Sequence, residues 1–416
     1  MSLLSRKKDN IFYGWIIVAA SVIIACVLNG IRYSFGVFFK SLEAEFEIPR
    51  TVTSSIFSVY MIMFAVFAIA VGWALDRYGP RLLISLMALF TGLSLLLTSQ
   101  ANILWQVFFT YSLLLAVGTG GLIPVLMAVI YRWFDKYRGI AVATTAAGLG
   151  MGPLVMAPFA AFLISTLDWR MSYVVMGLVA LFVAVPLAML LRKEPSEMGV
   201  LPDGTKSDNE GIRLRADGQC AQLPGLSVTQ ALKQRNFWFL WVIWLLWASS
   251  LNLILTHLVP YATDAGISTI EASTVLSLMS FMFIPWSLLA GKISDNVGWR
   301  RPGIILALFG VAALIWLIWA DSLWMFYVFA IVYGMNWGGF GTITLIMPSD
   351  ICGGRSLGAV LGVLESGFAL GSAFGSVMGG YVFDTTGSYS TAFAIAAGFL
   401  VITTILISLI KPEAAR

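Results

Sequence analysis

Charge is what this sequence has least of. Only 11% of its 416 residues are Asp, Glu, Lys or Arg, against about 25% in an average soluble domain, whereas 59% are apolar. So little charge excludes a water-soluble globular enzyme, a disordered chain kept open by its own solvation, and a nucleic-acid binder with a broad basic face. Histidine occurs once, as His257, so no histidine-based metal cluster can be built. Cysteine occurs three times, as Cys26, Cys220 and Cys352, without a C-x-x-C spacing. That number and spacing give neither a disulfide framework nor a metal site. No metal, no cofactor and no enzymatic activity are expected.

What is present instead is apolar length. A bilayer core of about 30 Å needs roughly 20 apolar residues per helix. Twelve runs meet this, at about 11–38, 52–74, 82–99, 105–131, 139–165, 171–191, 237–259, 272–291, 302–320, 323–347, 357–382 and 389–410. Runs this long predict helices, because a barrel strand needs only about ten alternating residues. The polar N-terminus MSLLSRKKDN leads straight into the first run without a small-residue cleavage site, which predicts a retained helix and not a signal peptide.

The few charges set an expected orientation. With both termini cytoplasmic, Lys40, Arg50 and Arg170 are the basic residues on the outer side, Arg32 lies within a span, and the rest fall on the inner side. This is the asymmetry of the positive-inside rule, which predicts both termini inside; a multi-pass protein of the cell inner membrane is expected.

The polar stretch 192–236 separates six spans from six. Residues 1–191 and 237–416 are expected to form N- and C-terminal six-helix bundles, with 192–236 as a cytoplasmic linker whose last part, SVTQALKQRN, makes a short interfacial helix. A shift of 219 residues superimposes Gly72 on Gly291, Asp76 on Asp295, Gly79 on Gly298, Arg81 on Arg300, Gly148 on Gly367 and Gly152 on Gly371. One glycine match means little, but matches in several helices and loops at one offset mark a parallel repeat. The fold class expected is all-α and membrane-spanning: twelve transmembrane helices as two pseudo-symmetric bundles. A monomer in the lipid bilayer is expected.

The repeat also carries motifs. GWALDRYGPR at Gly72 and its counterpart GKISDNVGWRR at Gly291 resemble the G-x-L-x-D-R-x-G-R-R loop of the major facilitator superfamily. The resemblance implies a loop that serves conformational switching, with Asp76, Arg77, Arg81 and Asp295 as gating residues. YGW at Tyr13–Trp15, SFGVFFKSL at Ser34–Leu42, YRWFDKYRGIA at Tyr131–Ala141, DWR at Asp168–Arg170, HLVPYATDAG at 257–266 and FDTTGSYSTAF at 383–393 are similar to the monocarboxylate transporter group and the related oxalate/formate exchangers. What that implies is secondary transport of a small organic anion by alternating access.

At three positions the chain departs from that group. Its members carry an arginine in helix 8, four residues before the glycine of the following loop, and an aspartate four residues earlier. Here those slots hold Ser287 and Phe283, and the helix 1 lysine slot holds Tyr33. The group's charged contacts to a carboxylate therefore do not carry over.

Two charged residues sit away from span ends: Arg32 and Glu365. A charge at helix-centre depth costs roughly 2.5–3.5 kcal/mol on insertion scales, so each needs a partner or a wet cavity. The Arg32 guanidinium can take a carboxylate through two parallel hydrogen bonds, and Arg32 is the candidate anion contact. Glu365 is the candidate carrier of a coupling proton. The alternatives are an arginine reaching the outer headgroups, a structural pair between the two, or, for Glu365, a hydrated or paired acid near the cytoplasmic cavity mouth with no transport role. Tyr33, Asn29, Thr119, Asn252, Asn336 and Ser287 are further substrate-binding candidates. Hydrogen bonds between helices are the competing reading for the asparagines and the threonine. His257 titrates in the range of a proton relay, with a capping role as its alternative. The runs GLGMGP and GFALGSAFG are expected to be close-packing seams.

The function expected is proton-coupled transport of a monocarboxylate such as lactate. The partners are a small organic anion, H+ and lipid, with no nucleic acid. Export or exchange of other organic anions or amphipathic compounds is the alternative.

Overall fold

The computed structural model describes residues 12–134, 138–198, 200, 228–352 and 357–410. Twelve helices in it are long and apolar enough to cross a membrane. They are α1 (Tyr13–Phe46), α2 (Arg50–Ala68), α3 (Arg77–Thr98), α4 (Leu104–Ile130), α5 (Thr144–Thr166), α6 (Trp169–Leu190), α7 (Arg235–Asp264), α8 (Thr269–Ser294), α9 (Arg300–Leu317), α10 (Leu323–Pro348), α11 (Val360–Thr386) and α12 (Ser390–Leu409). They coincide with the twelve apolar runs to within a few residues at most ends. The largest difference is in α1, which continues to Phe46 because the chain only bends at Ser34. There the hydroxyl bonds back to the Gly30 carbonyl at 2.7 Å and helix resumes at Phe35.

The repeat seen in the sequence recurs in three dimensions. Arg50 opens α2 and Thr269 opens α8, one repeat apart, as do Leu104 of α4 and Leu323 of α10. Helix runs on from α2 into α3 and is broken only at Gly79, with φ 75° and ψ 165°. Its repeat mate Gly298 ends the α8 helix with φ 75° and ψ 161°. A positive φ of this kind is open to glycine at no steric cost.

The glycine-rich runs are close-packing seams. A Cβ on Gly152 of α5 would lie 2.9 Å from the Cys26 carbonyl oxygen of α1, and one on Gly371 of α11 would lie 2.1 Å from the Leu245 carbonyl oxygen of α7. Cys26 and Leu245 are themselves one repeat apart, so both halves are built on the same pair of touching backbones.

The halves meet where α2 packs on α11 and α5 on α8. An even number of crossings brings the start of α1, the end of α12 and the described parts of the link from α6 to α7 to the same end of the molecule, here the connector end; the opposite one is the far end. Within the link, Pro195–Met198 form a single turn and Val228–Ala231 a short helix, in the stretch where the interfacial helix was expected. Residues 201–227 of the expected linker lie outside the described residues.

Candidate functional site: a buried cation between the halves

Arg32 lies two residues before the Ser34 bend, on a part of α1 drawn against α5 by Gly30 and Gly152. It is only 4% exposed. One terminal nitrogen donates to the Met61 Sδ at 3.4 Å, and the guanidinium carbon sits 4.2 Å from the centre of the Phe64 ring and 4.8 Å from that of Tyr33. Its Nε has no hydrogen-bond partner among the described residues, and the ion pairs they form lie elsewhere. A thioether is a weak acceptor, and a ring face returns only about 0.5–2 kcal/mol to a cation. The guanidinium therefore keeps donors that an anion can take.

Glu365 of α11 is partly buried and lies within electrostatic reach of Arg32, as do the phenols of Tyr33, Tyr60 and Tyr111. Among the described residues it forms neither a hydrogen bond nor an ion pair. One cation from the first half thus lies within electrostatic reach of one acid from the second. Beside them runs an aromatic wall that crosses between halves. Tyr33 of α1 meets Trp337 of α10 edge to face at 6.0 Å, and Trp337 meets Phe283 of α8 at 5.5 Å.

The other expected contacts are engaged between or within helices. Asn29 donates to the Leu149 carbonyl of α5 at 2.9 Å. Thr119 and Tyr60 share a hydrogen bond of 2.7 Å. Asn336 donates to the Leu306 carbonyl at 3.0 Å and accepts from the Trp247 indole at 3.4 Å. Asn252 donates to the Ser372 hydroxyl at 2.8 Å, leaving its Oδ1 unpartnered among the described residues. Ser287 donates to the Ile284 carbonyl of its own helix at 2.8 Å. The structure therefore brings together Arg32, Tyr33 and Glu365, with Trp337 beside them, while the asparagines tie helices to one another.

A second cluster, of which only His257 was anticipated as a site residue, bridges the halves at the far end. Arg50 holds Asp264 through two hydrogen bonds of 2.6 and 3.1 Å, and donates to the Tyr389 hydroxyl at 2.9 Å and to Glu43 at 3.3 Å. Its guanidinium lies 3.7 Å from the centre of the Phe383 ring, and Lys40 pairs with Asp264 at 2.6 Å. Asp384, at the end of α11, accepts from the backbone nitrogens of Arg50 and Thr51 at 3.0 and 2.7 Å. It thereby caps α2, whose preceding Pro49 supplies no capping side chain.

His257 belongs to this cluster. It is fully buried, its Nε2 lies 2.8 Å from the Ser376 carbonyl and its Nδ1 3.1 Å from the Tyr389 hydroxyl. A carbonyl only accepts, so Nε2 carries the proton and Nδ1 accepts from Tyr389. A sequence signal did exist: Lys40 and Arg50 were two of the three basic residues on the expected outer side, and Asp264 and Asp384 fall in two of the family-like segments.

The model of the Major Facilitator Superfamily matches residues 20–344 and 287–416. The chain belongs to the major facilitator superfamily. It is 24% identical to monocarboxylate transporter 13 of Bos taurus over 399 residues, spanning 93% of this chain and 87% of that protein. An uncharacterized MFS-type transporter of Bacillus subtilis, YcxA, is likewise 24% identical, over 93% of this chain and 92% of its own. Among solved structures, a bacterial homolog to the human lysosomal transporter Spinster, in an inward-facing and unoccupied conformation, superimposes with a TM-score of 0.72 at 16% identity. The overlap covers 97% of this chain and 96% of that one, and it bears on the fold alone.

As a major facilitator, the chain is a multi-pass membrane transporter of a small molecule. Of the residues expected to gate it, Arg77 and Arg81 are exposed at the connector end on either side of Gly79. The side chains of Asp76 and Asp295 lie outside the described residues.

Proposed function

We propose that the chain transports a small organic monoanion, a monocarboxylate, by alternating access, with Arg32 as the anion contact and Glu365 as the carrier of a coupling proton. The observation that carries this reading is the Arg32 guanidinium, buried between the halves with Nε unpartnered and only a thioether accepting from it. A single cation within electrostatic reach of a single acid suits one negative charge. A dianion would bring its second carboxylate toward Glu365 and be repelled. Tyr33, Trp337 and Phe283 favour an apolar remainder on the anion.

In this reading residues 1–191 and 237–416 rock as bodies joined by 192–236, with both termini cytoplasmic in a cell inner membrane and the chain acting as a monomer. The asparagines and Thr119 keep the helices in register around the site, and the Arg50–Asp264 cluster closes the far end when the connector end is open. Ligand-induced stabilisation tests the substrate class. Purified protein is melted in the presence of lactate, longer and aromatic monocarboxylates, oxalate, and a lipophilic cation. Stabilisation by monocarboxylates alone is the expected result. Stabilisation by the lipophilic cation alone would replace this reading with export of amphipathic compounds, and by oxalate alone with dianion exchange.

A further inference from the structure

We propose that a basic hollow at the connector end, between the α2–α3 turn and the exit of α6, binds the phosphate headgroup of an anionic phospholipid. The hollow has a volume of about 250 Å³, several times the roughly 30 Å³ that one water occupies in the liquid. Arg77, Arg81, Arg192 and Lys193 line it, with Glu197 as the one carboxylate among its lining residues. Basic residues at the ends of spans are common in membrane proteins for topological reasons alone. Three features set this group apart.

The first is its concave, fixed frame. The Tyr13 hydroxyl donates to the Leu190 carbonyl at 2.9 Å and the Trp133 indole donates to the Arg192 carbonyl at 3.0 Å. The exit of α6 is therefore pinned by Tyr13 of α1 and by Trp133, three residues past α4; Lys193 lies against the turn, its Cδ 4.0 Å from where a Cβ on Gly79 would lie, and Arg192 lines the hollow beside it. The second is unmet hydrogen-bonding capacity. The Arg192 Nε is buried without a partner among the described residues. A phosphodiester oxygen is the kind of acceptor it lacks.

The third feature separates a lipid from a free anion. From the hollow, Leu82, Leu86, Leu89 and Leu93 form an exposed apolar row up α3. Phe182 and Met189 are exposed on α6, which packs beside α3 through Gly92 and Leu181. A headgroup in the hollow thus has an apolar track for its acyl chains, and exposed Tyr78 stands at the boundary where aromatic rings favour the interface.

The test counts retained lipid. Full-length protein stripped of lipid in mild detergent is offered equal amounts of phosphatidylglycerol and phosphatidylcholine, and bound lipid is measured by native mass spectrometry. Phosphatidylglycerol should be retained in preference by roughly tenfold, and Arg192→Gln with Lys193→Gln should abolish the preference. Lys40→Gln, at the far end, should leave it intact. Should the double variant lose its fold, Lys193→Gln alone decides, with a partial loss of preference expected. Equal retention of the two lipids, or an unchanged preference in the hollow variants, would overturn the proposal. So would displacement of the lipid by millimolar inorganic phosphate, since the hollow would then be a soluble-anion site.

Discussion

Arg32 of α1 and Glu365 of α11, one from each half, lie within electrostatic reach of each other yet are not joined in an ion pair. In most protein interiors two such groups would close on each other, because an unpaired buried charge is costly. Held apart, they leave the cation open to an anion and the acid open to a proton. Glu365→Gln should therefore abolish accumulation driven by an inward proton gradient while keeping exchange of the anion within about twofold. Counterflow in proteoliposomes, with and without the gradient, measures both quantities. Gradient-driven accumulation that survives in Glu365→Gln would move the coupling proton to another group.

The far-end cluster predicts a change of conformational balance. Arg50 is almost buried and holds Asp264 with both terminal nitrogens, whereas Asp264 is about a third exposed, so the cost of breaking the pair is reduced by solvent. Asp264→Asn should raise the population open at the far end by roughly tenfold, an equilibrium shift of about 1.4 kcal/mol. Spin labels placed across the far ends of α1 and α7 read this directly. The charge swap Arg50→Asp with Asp264→Arg should restore part of the closed population.

His257 offers a sharper distinction. Its two ring nitrogens are both occupied, by the Ser376 carbonyl and the Tyr389 hydroxyl, beside the Arg50 cluster that joins the halves at the far end. His257→Gln should lower thermal stability in detergent, by an amount that reflects about 1–3 kcal/mol for the buried groups left unpaired. Proton-driven uptake by the same variant should remain. Loss of coupling with unchanged stability would instead make His257 the proton relay.

Glycine positions differ in what a side chain would meet. A Cβ at Gly371 would sit 2.1 Å from the Leu245 carbonyl oxygen and one at Gly375 2.0 Å from that of Ser249, whereas one at Gly398 meets nothing within 4 Å. Gly371→Ala must push α11 off α7 and should unfold or strongly destabilise the protein, beyond the 1–3 kcal/mol usual for overpacking. Gly398→Ala should be neutral or slightly stabilising, since alanine favours helix. Thermal melts of the two variants, side by side, check the contrast.

How much of this was legible in the sequence depends on the length scale involved. Span number, the repeat and the seam glycines are written locally, in runs of twenty apolar residues and in one fixed offset, and all three recur in the structure. Arg32 and Glu365 stood out because a charge inside a span is rare, and Tyr33 because it fills the slot of a lysine; folding leaves the two charges within electrostatic reach of each other. The asparagines could not be sorted the same way, since Asn29 and Asn336 satisfy carbonyls on other helices that only the packed structure reveals. The far-end cluster was hidden for a related reason. Charges at span ends are ordinary, and only folding brings Asp384 to the start of α2. Pro49 leaves that start uncapped, while its repeat mate Ser268 caps α8 from its own sequence together with Glu271.

In the proposed transport cycle Arg32 binds the transported anion. Uptake of a labelled monocarboxylate into proteoliposomes under an inward proton gradient, comparing the wild-type protein with Arg32→Lys and Arg32→Ala, tests it most directly. Lysine keeps the charge but loses the two parallel hydrogen bonds, so Arg32→Lys should transport with an apparent affinity weakened by roughly tenfold. Arg32→Ala should not transport at any pH. Full uptake by folded Arg32→Ala would contradict the account.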